Sequence, residues 1–281
     1  MRIELAEDST EIQQVLYLEL IKRALLDLLH NGPEYDIIHP ESMAQRLLAH
    51  FCEARDIHLM RRRETDPVLR ADGRDWPARA QTMTGLKRLN NVQYCIEKIL
   101  SDRIPGDLIE TGVWRGGCTI FMRSVLKAKG ITDRTVWVAD SFQGLPKPDP
   151  ERFPADQGDE HWSWKQLAVD IDQVRNNFAC YGLLDEQVQF LVGWFRDTLP
   201  NAPIRNLALI RLDGDMYEST MDGLSNLYTK LSPGGFVIID DYGCIDSCRQ
   251  AVHEYRERNG IGEEIHRIDW TGAYWRRSQF V

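Results

Sequence analysis

Apolar residues recur along this chain in two rhythms. Near the start, Leu18, Ile21, Leu25, Leu28 and Leu29 fall at helical spacing within IQQVLYLELIKRALLDLL, so one stripe of a helix is apolar and needs a covering surface. Ser9 or Thr10 is placed to cap that helix, and Gly32-Pro33 to stop it. A second helical pattern covers Glu41 to about Met60. The next stretch, Arg61 to Pro77, is charged and broken at Asp66-Pro67, Asp72-Gly73 and Trp76-Pro77, which reads as a loop or lid. A helix resumes from Gln81 to Leu100. The rhythm then changes to short apolar runs alternating with helical stretches. The runs are Asp107 to Thr111, Thr135 to Ala139, Gln187 to Leu191, Asn206 to Leu212 and Phe236 to Ile239. Helices are expected between them, one ending at Ala128, one from near Trp164 to Ala179, one reaching Leu231, and one from Asp246 to Arg258. Glu264 to Ile268 and Ala273 to Ser278 read as two further strands. Such alternation specifies a doubly wound, Rossmann-like α/β sheet with helices on both faces. The expected organisation is an N-terminal helical extension and lid over residues 1–80, and a catalytic domain over 81–281.

Two of the apolar runs end in acids. Asp213 and Asp215 follow one in LIRLDGDMYEST, and Asp240 and Asp241 follow another in GGFVIIDDYG. In open α/β sheets ligands bind outside the carboxyl ends of the strands, so two neighbouring strands would aim these carboxylates into one crevice. Four like charges converging there repel, and a hard divalent cation with oxygen ligands, Mg²⁺, relieves them. Asp213 and Asp215 are separated by one residue, which by strand geometry puts both on the same face, and Gly214 between them leaves room for a substrate. The plainer alternative is a helix-capping pair at Asp240-Asp241 and an Asx-type turn at Asp213-Asp215.

A third feature is the turn GDLIETGVWRGG, with Glu110 and Gly112 at a strand end and Gly116-Gly117 at a helix start. Missing side chains let a ligand approach the backbone there. The spacing is not G-x-G-x-x-G, and no basic residue is placed for a pyrophosphate. Glu110 instead suits a cationic amino group. Asp140, closing VWVAD about 30 residues on with Ser141 beside it, stands where doubly wound folds keep an acid for ribose hydroxyls. A ribose together with a cationic amine points to S-adenosylmethionine. Against this, Gly116-Gly117 would serve simply to pack helix on strand. Gly193-Trp194 follows the strand ending Leu191-Val192, where this fold usually receives the adenine, and Trp194 is placed either to stack on it or to fill the core.

Composition narrows the classes. At 281 residues, 43% hydrophobic and 27% charged, the chain suits one generous soluble domain with an appendage. A formal charge of -9 argues against a nucleic-acid or anionic-membrane surface. Six cysteines without a CxxC pair read as reduced thiols, and neither a signal peptide nor a membrane span of roughly 18 apolar residues is evident, so the expected location is cytoplasmic.

The runs GDLIETGVWRGGCTIFMRSVLKA, DSFQGLPKPD, LIRLDGDMYEST and LSPGGFVIIDDYG, in that order, together with LYLELIKRALLDLL near the start, resemble the TylF-type O-methyltransferases. These are the macrocin and mycinamicin sugar methylases and their coumarin-antibiotic relatives, and the likeness spans roughly Thr82 to the C-terminus. The resemblance implies a class I methyltransferase sheet, with Asp213, Asp240 and Asp241 as Mg²⁺ ligands and Asp215 as general base. It also favours Thr82-Met83 closing over the methionine end of the cofactor, segments between Asn31 and Ala80 covering the sugar site, and a homodimer or higher assembly. The expected activity is therefore S-adenosylmethionine- and Mg²⁺-dependent methylation of a sugar hydroxyl, on a glycosylated natural product or an oligosaccharide or polysaccharide precursor. In that reading the metal chelates vicinal hydroxyls while Asp215 takes the proton. A catechol-type methyltransferase on an aromatic diol needs the same cation and carboxylates. A NAD-type dehydrogenase conflicts with the glycine spacing and with Glu110, and a non-enzymatic binding module leaves the four carboxylates without a purpose. His161, flanked by Trp162 and Trp164 in an acidic loop, belongs to a mobile loop covering the substrate, or meets the acceptor, or marks where a second base is hidden.

Overall fold

In the computed structural model, residues 2–30, 32–38, 40 and 42–278 are described, with the backbone alone for 2–8, 36 and 37. The apolar stripe of the first helix, α1 (Arg2–Leu25), is covered by the catalytic half of the chain: Leu18, Ile21, Leu25 and Leu26 share one buried cluster with Leu89, Ile96, Phe121 and Val125. The helix runs straight through Ser9 and Thr10, which therefore do not cap it, because RIELAE before them is made of good helix formers. It also ends before Gly32-Pro33. Asp27 takes a left-handed φ of 52°, Leu28 N–H reaches back to the Arg23 carbonyl at 2.8 Å, and Asp27 N–H to that of Ala24 at 3.0 Å. This is a Schellman closure made without glycine.

Within Arg61 to Pro77, expected to be a loop or lid, residues 61–63 belong to a strand and 67–71 to a short helix. Strand β1 (Glu34–Ile37) pairs antiparallel with β2 (Met60–Arg63), with α2 (Met43–Glu53) between them and α3 (Pro67–Ala71) after. The expected start of α2, Glu41, lies outside the described residues; Ser42 and Gln45 form a capping box at the observed start, and the helix stops well short of Met60. Buried Glu34 holds this small sheet to the rest. Its carboxylate takes Arg63 Nη2 at 2.5 Å, Arg70 Nη2 at 3.1 Å and the Ala78 N–H at 3.1 Å.

From α4 (Gly85–Ser101) onward the expected alternation is found, with the short helix α7 added to it: β3 (Asp107–Thr111), α5 (Gly117–Ala128), β4 (Val136–Asp140), α6 (Ile171–Cys180), β5 (Val188–Val192), α7 (Phe195–Thr198), β6 (Leu207–Leu212), α8 (Tyr217–Leu227), β7 (Leu231–Ile239), α9 (Asp246–Arg258), β8 (His266–Arg267) and β9 (Ala273–Arg276). Several boundaries differ. Residues 161–167 form two 3₁₀ turns, and α6 starts only where Asp170 accepts the Gln173 N–H at 2.9 Å. β7 begins five residues earlier than its apolar run, after a 3₁₀ turn at Tyr228–Lys230. The sheet order is β5-β4-β3-β6-β7-β9-β8, parallel through β7, with β9 antiparallel to β7 and to β8. Successive residues serve opposite cores: Leu108 faces the cluster shared with α1, α4 and α5, and Ile109 the cluster shared with α8 and α9. The chain order reverses beside β3, and the carboxyl ends of β3 and β6 open there.

Candidate active site

Sheet register assembles the centre of this opening. Glu110 on β3 is directly opposite Arg211 on β6, which in turn is opposite Ile238 on β7, two residues before Asp240. Side chains alternate along a strand, so Arg211 and Asp213 share a face. The buried Arg211 guanidinium is ion-paired with Glu110 and Asp240 and lies 2.8 Å from Asp213 Oδ2. From α4, buried Arg88 pairs with the other oxygen of Asp240 and, at 3.1 Å, with Asp269. Asp241 accepts the N–H of Asp215 at 3.2 Å. Asp215 itself has φ 57°, a left-handed conformation unusual for a residue with a side chain and of the kind found at functional sites.

Of these groups Arg88, Glu110, Asp213, Asp215, Asp240 and Asp241 line a cavity of about 610 Å³, a volume suited to a cofactor and part of an acceptor. One oxygen each from Asp213, Asp240 and Asp241 can be chosen so that all lie within 4.8 Å of one another. Two guanidiniums thus face Glu110, Asp213, Asp215, Asp240 and Asp241, and the imbalance shows in the carboxyl groups. Enclosure in the cavity, then the charge of Asp213, pushes Asp215 up to about 7, with His161 opposing. Asp213 is pushed up to about 6 by the same enclosure and then by Asp240. Asp241 is raised well above the usual carboxylate range by burial, then by Asp215 and Asp213. An all-oxygen donor set carrying surplus negative charge is what a hard dication requires, so Mg²⁺ fits these residues.

The half of the cavity around Glu110 and Gly112 is equally specific. Gly112 has φ 80°, and a Cβ there would stand 1.6 Å from the Asp213 carbonyl oxygen, so only glycine lets β3 and β6 approach this closely. Glu110 gives one oxygen to Arg211; its Oε2 is buried without a hydrogen-bond partner among the described residues, and burial pushes the acid up to about 8. A cationic donor, such as the ammonium of a methionine moiety, satisfies that orphaned acceptor. Asp140 also faces the cavity, but both of its oxygens already accept backbone N–H groups, from Val113 and Phe142, each at 2.7 Å. It therefore builds the two turns as well as offering its remaining lone pairs to a ligand. Ser141, Thr82, Met83 and Trp194 are on the wall too. Gly116 and Gly193 are not. Gly116 caps α5 at φ 85°, where a Cβ would meet Val174 Cγ1 at 2.8 Å, and Gly193 gives its N–H to the Asp140 carbonyl at 2.9 Å.

Some residues of the site were not singled out from the sequence. Arg211 had a signal, since an arginine inside an apolar strand demands buried carboxylates; Arg88, on an amphipathic helix, had none. Trp76 from the covering segment meets Trp164 edge-on at 5.9 Å and Trp114 at 6.5 Å, and both Trp76 and Trp164 line the cavity. Arg115, next to Trp114 in the glycine turn, donates to the carbonyls of Ala78 at 2.9 Å and Ala80 at 2.8 Å. The cofactor loop and the covering segment are thus one hydrogen-bonded unit.

Residues 14–277 match the family described as macrocin O-methyltransferase (TylF). The chain belongs to that family. This TylF-family enzyme is 51% identical over 271 residues, 96% of this chain and 95% of the relative, to 8-demethyl-8-(2,3-dimethoxy-α-L-rhamnosyl)-tetracenomycin-C 4'-O-methyltransferase of Streptomyces olivaceus. It is 56% identical over 212 residues, 74% of this chain and 83% of the relative, to mycinamicin III 3''-O-methyltransferase of Micromonospora griseorubida. The solved structure of the O-methyltransferase NovP superposes with a TM-score of 0.81 at 45% identity, covering 94% of this chain and 99% of NovP. The TylF-family chain is accordingly an O-methyltransferase of the class I, Rossmann-like fold, and that fold implies S-adenosylmethionine as methyl donor.

Proposed function

We propose that this enzyme is an S-adenosylmethionine- and Mg²⁺-dependent O-methyltransferase acting on a hydroxyl of a sugar, within a glycosylated natural product or an oligosaccharide or polysaccharide precursor. The observation that carries the reading is the convergence of Asp213, Asp240 and Asp241 on one point, with Asp215 beside them and an unpaired Glu110 oxygen in the same cavity. Relatives named for a rhamnosyl and for a mycinamicin acceptor support the sugar, as do the aromatic edges of Trp76 and Trp164 on the wall.

Bound S-adenosylmethionine supplies an electrophilic methyl group, and bound Mg²⁺ a Lewis acid for adjacent sugar oxygens. Asp213, Asp240 and Asp241 would hold the ion. Glu110 would hold the cofactor ammonium, Asp140 and Ser141 would face the ribose, Trp194 the adenine, and Thr82-Met83 the methionine end. Gly112 keeps the cofactor turn close to the catalytic carboxylates. Asp215 accepts the proton of the reacting hydroxyl, whose oxygen is a poor nucleophile until that proton can leave. The covering segment and the tryptophans exclude water and hold the acceptor in line. Incubating the enzyme with S-adenosylmethionine and 4-nitrophenyl α-L-rhamnopyranoside, then with a catechol, in Mg²⁺ and in EDTA tests this. Mg²⁺-dependent methylation of the rhamnoside supports the reading, and methylation of the catechol alone contradicts it.

We also place residues 1–80 as a covering extension and residues 81–281 as the catalytic unit, although the second half of α1 belongs to the shared core. The opposite face of α1 exposes Ile12, Val15, Leu16 and Leu20, and α2 exposes Leu47, Leu48 and Phe51. These apolar faces suit a homodimer, which light scattering on the eluting protein would read as twice the chain mass. The six cysteines are all free, which agrees with a cytoplasmic setting.

A further inference from the structure

We propose that His161 hydrogen-bonds the acceptor sugar at a hydroxyl beside the one that is methylated, with Asp159 and Asp156 as the residues that position it. The inference rests on the sugar-methylating reading above. His161 lines the cavity. Its Nδ1 lies 2.8 Å from Asp159 Oδ2, and its backbone N–H donates to the other oxygen of the same carboxylate at 2.9 Å. A carboxylate can only accept, so Nδ1 carries a proton whatever the charge of the ring, and Nε2 is the ring atom left to meet a ligand. That Nε2 has no partner among the described residues, and a sugar hydroxyl, which both donates and accepts, can pair with it.

The ring is held as well as oriented. Trp164 meets it edge-on at 4.6 Å, and Trp76 continues the aromatic wall behind Trp164. The loop carrying His161 is pinned by Asp156, only 1% exposed, whose two oxygens accept the N–H groups of Tyr217 at 2.7 Å and Glu218 at 3.0 Å. These are the first two residues of α8, a helix whose own N-cap, Met216, offers no side-chain hydrogen bond. Asp215 comes directly before that cap, so the helix start serves as a common reference for Asp215 on one side and His161 on the other. A loop that only sheltered the site would not need a buried carboxylate tying it to the residues next to Asp215, nor a second one fixing the tautomer of a histidine at the wall. Trp164 in the same loop and Trp76 line the cavity beside it and offer apolar aromatic surface for sugar C–H groups, and the histidine supplies the directional contact.

The test uses full-length enzyme with S-adenosylmethionine and Mg²⁺, acting on 4-nitrophenyl α-L-rhamnopyranoside and its monodeoxy analogues. His161→Phe is expected to raise the acceptor KM about tenfold, the worth of one well-made hydrogen bond, while kcat and the calorimetric affinity for S-adenosylhomocysteine stay at wild-type values. His161→Gln, which keeps an acceptor, should recover part of the loss, and Asp159→Asn should fall between. One monodeoxy analogue should lower wild-type efficiency to the level of His161→Phe and cost that variant nothing further. An unchanged KM in His161→Phe overturns the proposal, and so does a parallel loss of S-adenosylhomocysteine affinity, which marks a scaffold residue. Wild-type enzyme that methylates no rhamnoside contradicts the sugar reading itself, whereas active wild type with an equally active His161→Phe contradicts this inference alone.

Discussion

Arg211 Nη1 lies 2.8 Å from Asp213 Oδ2, and the same buried guanidinium is ion-paired with Glu110 and Asp240. One cation therefore holds the cofactor strand and both candidate metal strands in a fixed relation, and its loss would leave three carboxylates facing one another. We expect Arg211→Met to destabilise the protein by about 3–5 kcal/mol, as removal of one member of a buried ion cluster does. Urea unfolding monitored by tryptophan fluorescence checks this, and a variant as stable as wild type would show the cluster to be neutralised some other way.

Asp215→Asn keeps the shape of the side chain and removes its ability to take a proton. Turnover should fall by about 10²- to 10⁴-fold, the usual worth of a general base, with unchanged affinity for S-adenosylhomocysteine by calorimetry. Turnover equal to wild type removes Asp215 from the mechanism.

Stability of the metal-free protein should fall as pH rises. Carboxyl groups titrate near about 4 in an unfolded chain, whereas burial and mutual repulsion raise Asp213 to about 6, Asp215 to about 7 and Glu110 to about 8 in the folded one. Between those limits the folded state holds protons that the unfolded state has lost, so the contribution is fully present below about pH 4 and is lost as pH climbs through 6 to 8. The predicted melting temperature in EDTA is higher at pH 5 than at pH 8. Added Mg²⁺ should raise it at pH 8 and do little at pH 5, where protons already occupy the carboxylates. Melting that is indifferent to pH in EDTA would mean that the acids are compensated without a metal.

Asp140→Ala should weaken S-adenosylhomocysteine binding about tenfold or more, because the N–H groups of Val113 and Phe142 lose their shared acceptor and the cofactor turns loosen. Acceptor KM should move less. Unchanged cofactor affinity would remove Asp140 from the ribose end of the cavity.

What could be read directly from the chain follows a physical rule. Each site aspartate closes an apolar strand, so a run such as Leu207–Leu212 followed by Asp213 declares both the strand and the edge from which the acid projects. The glycine at 112 likewise follows from the close approach of two strand ends. Partners distant in sequence were not legible. Arg88 reaches Asp240 across 152 positions, and Glu34 holds Arg63 and the Ala78 backbone only because the chain folds back on itself. Arg61 to Pro77 looked like a loop for that reason: the strand that enters it is short, and what holds that strand's pairing is a buried carboxylate rather than an apolar pattern. Ser9 and Thr10 misled in the opposite way, since capping residues inside a strong helix former are simply passed over.

The central claim is that Asp213, Asp240 and Asp241 jointly bind a magnesium ion. Calorimetric titration of Mg²⁺ into EDTA-stripped protein saturated with S-adenosylhomocysteine, at pH 8, measures it directly, alongside Asp241→Asn. We predict one ion bound per chain in wild type and none in the variant. Absence of binding in wild type, or equal binding in both, would contradict the account.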